Sequence, residues 1–347
     1  MPISGLFAST LKKDQKSQEA KGVDDEMAMD RAAVRVAVLA GGTSSEREIS
    51  LASGKNAAQA LRDAGFGTVD LLDPAAEAFI DELRSGAYDV AFPALHGGMG
   101  EDGVIQGLLE YLRIPYTGSG VTASACASDK ALAKLVYRKA GITVAEGVTV
   151  MRGEEIDIDE IAREVGDESF VKPAVNGSSY GITLVKDPSH LPNAIEHAFE
   201  YGDKVLVEQR VRGTEVTVGV FEEGNGKTRA LPVVEICCAA EGAEYYDLHV
   251  KYIDPARIHR IPARLEPEVY ERVQQLAVRA HKALGCSGFS RSDFIVTPCG
   301  PVILETNTIP GMTDASLFPD EVRHTDDLTF PEVCAMLVER ATLTEKA

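Results

Sequence analysis

The chain contains no CxxC spacing. Its six cysteines are scattered at positions 126, 237, 238, 286, 299 and 334. Cys237 and Cys238 are adjacent and are not expected to pair with each other. The pattern points to free thiols in a reducing cytoplasm rather than a disulfide framework. No apolar run approaches 18 residues, which excludes a helical membrane span. The first 30 residues carry Lys12, Lys13 and Lys16 but no apolar stretch behind them. They are expected to be a disordered tail, not a secretory signal. Basic charge is also short: 35 Lys and Arg face 54 Asp and Glu, for a net charge of −19. That balance argues against nucleic acid as a partner. It leaves room for a phosphate ligand, because local Lys and Arg decide that. The Gly-rich loop at 40–46 lacks the full GxGxxG pattern, and there is no GxxxxGK[ST], no Ser-His or Cys-His signature and no internal repeat. The absence of Trp excludes nothing.

The stretch Gly288-Phe-Ser-Arg-Ser-Asp-Phe-Ile-Val296, followed by residues 302–312, reads as a β-hairpin with its turn at 297–301. Side chains at i and i+2 of a strand share a face. Arg291 and Asp293 therefore share one face, and Glu305 and Asn307 share one face of the partner strand. Two carboxylates and an amide oxygen suit hard, oxygen-preferring Mg²⁺ or Mn²⁺. Arg291 beside them would neutralise a phosphate or a developing oxyanion. Pro310-Gly-Met-Thr313 opens a turn whose backbone N–H groups can face a ligand. The alternative is a solvated edge hairpin with routine charges.

Upstream, residues 34–39 form an apolar run of the kind found in buried parallel strands. A Gly-rich turn and a helical pattern over 47–64 follow, which begins a doubly wound α/β domain. Glu46 stands at the junction. It is either a first-turn acid stabilising the helix or a ligand-gripping carboxylate at a strand's C-terminal end; the pattern leaves both open. Strands are expected at 68–72 and 90–95, and helices at 75–85 and 104–113. His96-Gly-Gly-Met-Gly-Glu-Asp-Gly103 again lies at a strand end, with glycines that let backbone approach a ligand. One helix is expected over 122–140, with Lys130 inside it. Residues 170–173 and 182–185 read as a hairpin whose Gly/Ser loop can cradle phosphates near Lys172. Further strands are expected at 204–209, 215–221 and 231–236. Residues 237–260 form a long aromatic-bearing stretch typical of a lid. Amphipathic helices are expected at 266–284 and 330–340, the first with Val269, Val273, Leu276, Ala277 and Ala280 inward.

Several motifs occur together and in order: Gly41-Gly-Thr-Ser-Ser-Glu-Arg-Glu48, Leu95-His-Gly97 with Gly100-Glu-Asp-Gly103, Pro115-Tyr-Thr-Gly-Ser-Gly120, Val171-Lys-Pro173 with Gly177-Ser-Ser179, Lys251-Tyr252, and Glu305-Thr-Asn307 with Pro310-Gly-Met-Thr313. From residue 34 to residue 340 the chain resembles the D-alanine–D-alanine ligase family of the ATP-grasp superfamily. The resemblance implies an α/β ATP-grasp fold with an N-terminal doubly wound parallel-sheet domain over 31–120, a central lid domain over 121–211 and a C-terminal domain over 212–347. It implies cytoplasmic synthesis of D-alanyl-D-alanine for peptidoglycan, through a D-alanyl phosphate, by a homodimer. Its cofactors would be ATP and two Mg²⁺ or Mn²⁺, and its substrates two D-alanine molecules.

The family's roles carry over residue by residue. Lys130, Lys172, Glu208, Val211, Glu215 and Lys251 match the nucleotide contacts. Within that set Lys130 and Lys172 hold phosphates, Glu208 the adenine amino group and Glu215 the ribose. Asp293, Glu305 and Asn307 match the metal ligands. Glu46 matches the grip on the first D-alanine's ammonium, with His96 close by. Arg291 and the Gly311 N–H match the oxyanion site, and Ser316 and Leu317 the second substrate's carboxylate contacts. Ser178, Tyr252 and Glu46 match a hydrogen-bonded triad that steadies the closed lid. Tyr180, where the family commonly has Val, and Leu248-His249-Val250 depart from the pattern on the lid. Other readings are a relative making D-alanyl-D-lactate or another dipeptide, and a non-catalytic ATP-grasp binding protein.

Overall fold

A computed structural model of the chain describes residues 29–175, 180–223, 226–237 and 259–343. The fully buried run of β1 (Arg35–Leu39) lies between β2 (Thr68–Leu72) and β3 (Val90–Pro93) in a parallel sheet, as its lack of a polar face requires. Tyr116 extends this sheet through a parallel bridge to Ala91. Helix α1 (Arg47–Asp63) covers one face, where Ala57, Ala58 and Leu61 meet Val36 and Val38. Helices α2 (Phe79–Ser85) and α3 (Val104–Leu112) cover the other through Phe79, Leu83, Ile105 and Leu109. Helix α2 starts four residues later than expected. The Asp73 carboxylate accepts from Gly42 N, Ala75 N and Arg47, which holds the chain in a turn past Pro74.

The helix expected over 122–140 is two helices, α4 (Val121–Ser128) and α5 (Lys130–Lys139). Asp129 breaks them. It is extended (φ −92°, ψ 98°), and its carboxylate caps α5 by accepting from Ala131 N and Leu132 N. A central antiparallel sheet follows, in the order β4 (Gly147–Met151), β7 (Lys204–Gln209), β5 (Ser169–Pro173), β6 (Thr183–Val185). Helices α6 (Ile158–Val165) and α7 (Leu191–Phe199) pack on it through Ile161, Val165, Leu191 and Ile195. β4, α6 and α7 lie where no element was expected.

The second antiparallel sheet runs β11 (His259–Arg260), β10 (Val234–Ile236), β8 (Thr214–Glu222), β12 (Phe289–Thr297), β13 (Gly300–Asn307), with β9 (Thr228–Ala230) on β8. Helix α8 (Pro267–Leu284) buries Val273, Leu276, Ala277 and Ala280 against it, and Val269 packs at its margin. The β12–β13 turn is tighter than expected: Thr297 pairs with Gly300, whose φ of +123° only glycine adopts readily. Pro301 then lies on an edge strand, where its missing N–H costs no ladder bond. After α9 (Leu317–Arg323), helix α10 (Phe330–Leu343) returns to the first sheet. Val333, Leu337 and Val338 join the cluster around Val36 and Val38. The result is the expected α/β arrangement, a doubly wound parallel sheet beside two antiparallel sheets that face a common cleft.

Candidate active site

The β12–β13 hairpin sets one wall of the cleft. Arg291 lies opposite Asn307 and Asp293 opposite Glu305, so all four face the same way. The alternate residues face the core, where the Ser292 and Thr306 hydroxyls lie 2.8 Å apart and Tyr137 OH donates to Thr306 at 2.8 Å. Two carboxylates directly opposite on neighbouring strands repel unless cations intervene. Here each carboxylate has its own cation. Arg291 grips Asp293 through two bonds of 3.1 Å, and Lys130 Nζ lies 2.8 Å from Glu305 Oε2. Thr217 Oγ1 also donates to Asp293, and Asn307 Nδ2 donates to it at 3.3 Å. Burial works against the Arg291 charge, but Asp293 beside it keeps the guanidinium fully protonated.

A bulge follows Asp293, because Phe294 pairs with Ile303 and leaves Leu304 unmatched. Leu304 lines a cavity of 510 Å³ together with Ile295 and its strand partner Glu215 and, across the cleft, Lys172, Glu208 and Val211. Apolar walls with a few convergent charges are what a nucleoside with phosphates requires. Glu208, on β7, is 3 % exposed. It pairs with Lys172 from β5 and with Lys134 Nζ from α5 at 2.7 Å. Burial pushes its carboxyl up, but the two ammonium groups outweigh burial and bring it down to about 2.

A second cavity of 250 Å³ runs between Lys130, Glu305, Asn307 and the loop carrying Gly97, Gly98 and Glu101. A third, of 110 Å³, collects Glu46, His96, Glu101, Arg291, Asn307 and Gly311. Glu46 sits at the N-terminus of α1, yet its side chain makes no capping bond. Ser44 Oγ accepts the Glu46 N–H at 3.1 Å and donates to His96 O at 2.6 Å. The Glu46 carboxylate is thus left to face the cavity. Gly97 (φ +78°) makes room for it: a Cβ there would stand 3.2 Å from Glu46 Oε2. His96 is fixed by Ser53 Oγ at 2.9 Å, and Ser53 also accepts the Met312 N–H at 3.2 Å, tying α1 to the Gly311 turn. Ser316 lies against that turn. Its Oγ accepts the Thr313 N–H at 3.1 Å, and a Cβ on Gly311 would meet it at 2.7 Å. Leu317 begins α9 with its side chain buried beside Val234 and Ile236.

Glu46, His96, Arg291, Gly311 and Asn307 therefore meet at one end of the cleft, Lys130 and Glu305 in its middle, and Lys172, Glu208, Val211 and Glu215 at the other end. Ser178, Lys251 and Tyr252 lie outside the described residues, as do residues 1–28 and the Leu248-His249-Val250 departure. The sequence reading passed over Lys134, Glu101, Ser53 and Thr217. Glu101 accepts the Gly97 N–H at 2.8 Å and lies 3.8 Å from His96 Nδ1. Its place among four glycines at a strand end was the available signal.

The profile described as "D-ala D-ala ligase C-terminus" matches residues 136–339, and "D-ala D-ala ligase N-terminus" matches 70–119. A D-alanine–D-alanine ligase of Anaeromyxobacter sp. is 46% identical over 314 residues, covering 89% of this chain and 97% of that protein. One of Desulforamulus reducens is 42% identical over 315 residues, covering 89% and 99%. Among solved structures, the D-alanine–D-alanine ligase of Bacillus anthracis complexed with ATP has a TM-score of 0.74 at 29% identity, covering 90% of this chain and 99% of that one. The VanG D-Ala:D-Ser ligase of Enterococcus faecalis has a TM-score of 0.74 at 32% identity, covering 89% and 99%. A parallel-sheet unit carrying Glu46 and His96, two antiparallel sheets facing across a lysine-lined cleft, and sequence identity along nearly nine-tenths of the chain agree, and the chain belongs to the D-alanine–D-alanine ligase family.

Proposed function

We propose that the chain joins two D-alanine molecules with ATP, and that the cleft residues act in the roles their positions support. The reading is carried by one observation: cationic, acidic and backbone donors for a nucleotide, a phosphoryl group and an amino acid follow one another along a single cleft. The nucleoside occupies the 510 Å³ cavity, with Glu208 accepting from the adenine amino group, Val211 contributing backbone and Glu215 meeting the ribose. Lys172 and Lys130 turn to the phosphates. The first D-alanine places its ammonium on Glu46, near His96, and its carboxylate near Arg291. Ser316 and Leu317 border the second substrate, and Ser178, Tyr252 and Lys251 complete the lid side.

Asp293, Glu305 and Asn307 fit a hard divalent cation. They are oxygen donors on two adjacent strands, and the two carboxylates face each other with only protein cations to balance them. We assign them as the ligands of two Mg²⁺ or Mn²⁺. When bound, these ions would neutralise the phosphates and the charge that develops during transfer.

The chain's own groups do the rest. The D-alanine carboxylate oxygen takes the terminal phosphoryl group of ATP and releases ADP. The amine of the second D-alanine then attacks the acyl carbon. Arg291 and the Gly311 N–H hold the oxyanion of the tetrahedral intermediate, and phosphate leaves as the amide forms. No side chain serves as a covalent nucleophile. The homodimer and the cytoplasmic site of action implied by the family belong to the same proposal. No helix among the described residues is long and apolar enough to cross a membrane.

Tyr252 bears on the choice of second substrate. A neutral phenol does not repel an incoming ammonium, whereas a protonated imidazole would. The expected product is therefore the dipeptide, with little D-alanyl-D-lactate at neutral pH. The test is phosphate release from ATP with a panel of D-amino and D-hydroxy acids, each product identified by mass. Release that needs D-alanine and yields D-alanyl-D-alanine supports the reading. Release without D-alanine, or mainly depsipeptide at pH 7, overturns it.

A further inference from the structure

Lys134 lies outside every role assigned above, yet it is one of the most buried charges in the molecule. It is 4 % exposed and stands 2.7 Å from the Glu208 carboxylate. It does not line the nucleotide cavity, whereas its partner Glu208 and the third member of the cluster, Lys172, do. Instead it approaches Glu208 from a separate hollow between α5 and strands β4 and β7 of the central sheet. Around Glu208, two ammonium groups thus face one carboxylate: Lys172 on Oε1 and Lys134 on Oε2.

We propose that Lys134 is a positioning residue for nucleotide binding: it holds Glu208 ionised and aimed into the cavity, and so frees Lys172 to move to a phosphate. The inference rests on the nucleotide reading of the cavity. A buried carboxylate must keep a cation or take up a proton. If Lys172 were the only partner, turning it toward a phosphate would strand Glu208, and that cost would count against ATP. With Lys134 in place the carboxylate keeps one ammonium throughout, and the second is available to the ligand.

The backbone supports a fixed role for Lys134. Helix α5 is anchored at its first turn by the Asp129 cap, by Asp129 to Lys204 at 2.7 Å and by Lys130 N to Ala174 O at 2.8 Å. Near its far end it is held by Tyr137 to Thr306. Lys134 sits between these anchors. Lys130 and Lys134, one turn apart, share a helix face and reach opposite walls of the cleft, Glu305 on one sheet and Glu208 on the other.

The test is a double-mutant cycle with Lys134→Met and Glu208→Gln, read by direct titration of a non-hydrolysable ATP analogue and by KM and kcat in the ligase assay. Lys134→Met is expected to weaken nucleotide binding at least about tenfold, on the scale of losing one buried ion pair, with the D-alanine KM changed less than about twofold. In the Glu208→Gln background the same substitution should change nucleotide binding less than about twofold, because no carboxylate remains to hold Lys172. Lys134→Arg, which keeps the charge, should bind the nucleotide within a few-fold of the parent. Unchanged binding in Lys134→Met, or an equal loss in both backgrounds, overturns the inference. Should Lys134→Met fail to fold, Lys134→Gln carries the same comparison, with the melting temperature as control. A parent chain that binds the nucleotide but makes no dipeptide would refute the proposed reaction and leave the Lys134 result readable from titration alone.

Discussion

Two buried glutamates, one on β7 of the central sheet and one on α9 beside β8, behave in opposite ways. Glu208 is 3 % exposed and Glu321 is 0 % exposed. Burial raises both carboxyls. At Glu208 the Lys172 and Lys134 ammonium groups reverse the effect and bring it down to about 2. At Glu321 burial wins, and the carboxyl stands well above its usual range. Glu321 has the Gly219 N–H on Oε1 at 2.8 Å, and its Oε2 has no hydrogen-bond partner among the described residues. Arg291 pulls in the other direction but is already engaged by Asp293. Burial alone therefore does not set the direction in which an acid here shifts; a dedicated cation at its oxygens does. The acids assigned to the reaction, Glu208, Asp293 and Glu305, each have such a cation in the structure.

The largest effect should come from removing an acid whose cation is to be exchanged for a ligand. Glu305→Ala is expected to lower kcat by on the order of 10³ or more while the chain still folds cooperatively. Phosphate release at saturating Mg²⁺ and a thermal melt check this together. Near-normal turnover would show that the hairpin acids are only paired surface charges.

Next in size is Glu208→Gln, which leaves two buried ammonium groups without a carboxylate. It should cost roughly 3 kcal/mol or more in urea unfolding. Glu321→Gln, where burial pushes the carboxyl up and the fold disfavours its charged form, should cost nothing or raise stability at pH 7. Equal costs would break the comparison.

Smaller, and confined to substrate, is Glu46→Gln. Loss of one charge-assisted bond to the D-alanine ammonium is worth roughly 1.5–3 kcal/mol. It should appear in the apparent affinity for the first D-alanine, with the melting temperature nearly unchanged because the side chain makes no capping bond.

The subtlest test is the pH dependence of stability, where the two glutamates should have opposite signs. Glu208 titrates lower in the fold than when unfolded, so its contribution is present above the unfolded value of about 4.3 and is lost as pH falls toward its folded value. Glu321 titrates higher in the fold. Its contribution is complete below about 4.3 and is lost as pH rises. Stability differences between the parent and each Gln variant, measured from pH 3 to 8, should slope in opposite directions.

Much of this was legible in the sequence because it depends on local period. Alternation alone placed Arg291 with Asp293 and Glu305 with Asn307, and the register set them directly opposite. The Gly-rich strand ends marked Glu46 and His96 for the same reason, since parallel sheets expose ligand loops at that edge. Lys134 was not legible. Four residues beyond Lys130 on an amphipathic helix, it reads as a solvated charge, and only the approach of β7 turns it inward. The helix break at Asp129 was hidden because the residues on both sides favour helix. It needed the Ala174 carbonyl and Lys204, both distant in sequence, to hold it. Glu321 was passed over: it lies on α9, where no helix was expected, and Gly219 leaves space for its carboxyl beside β8.

The central claim is that the phosphoryl group passes to the D-alanine carboxylate before the amide forms. Ligation with D-alanine labelled by ¹⁸O in both carboxylate oxygens tests this directly. The bridging oxygen of the acyl phosphate comes from the amino acid and leaves with the phosphate. Each phosphate released should therefore carry one ¹⁸O, and each dipeptide should have lost one from its newly formed amide. Phosphate free of label, with the lost ¹⁸O appearing in water, would contradict the account.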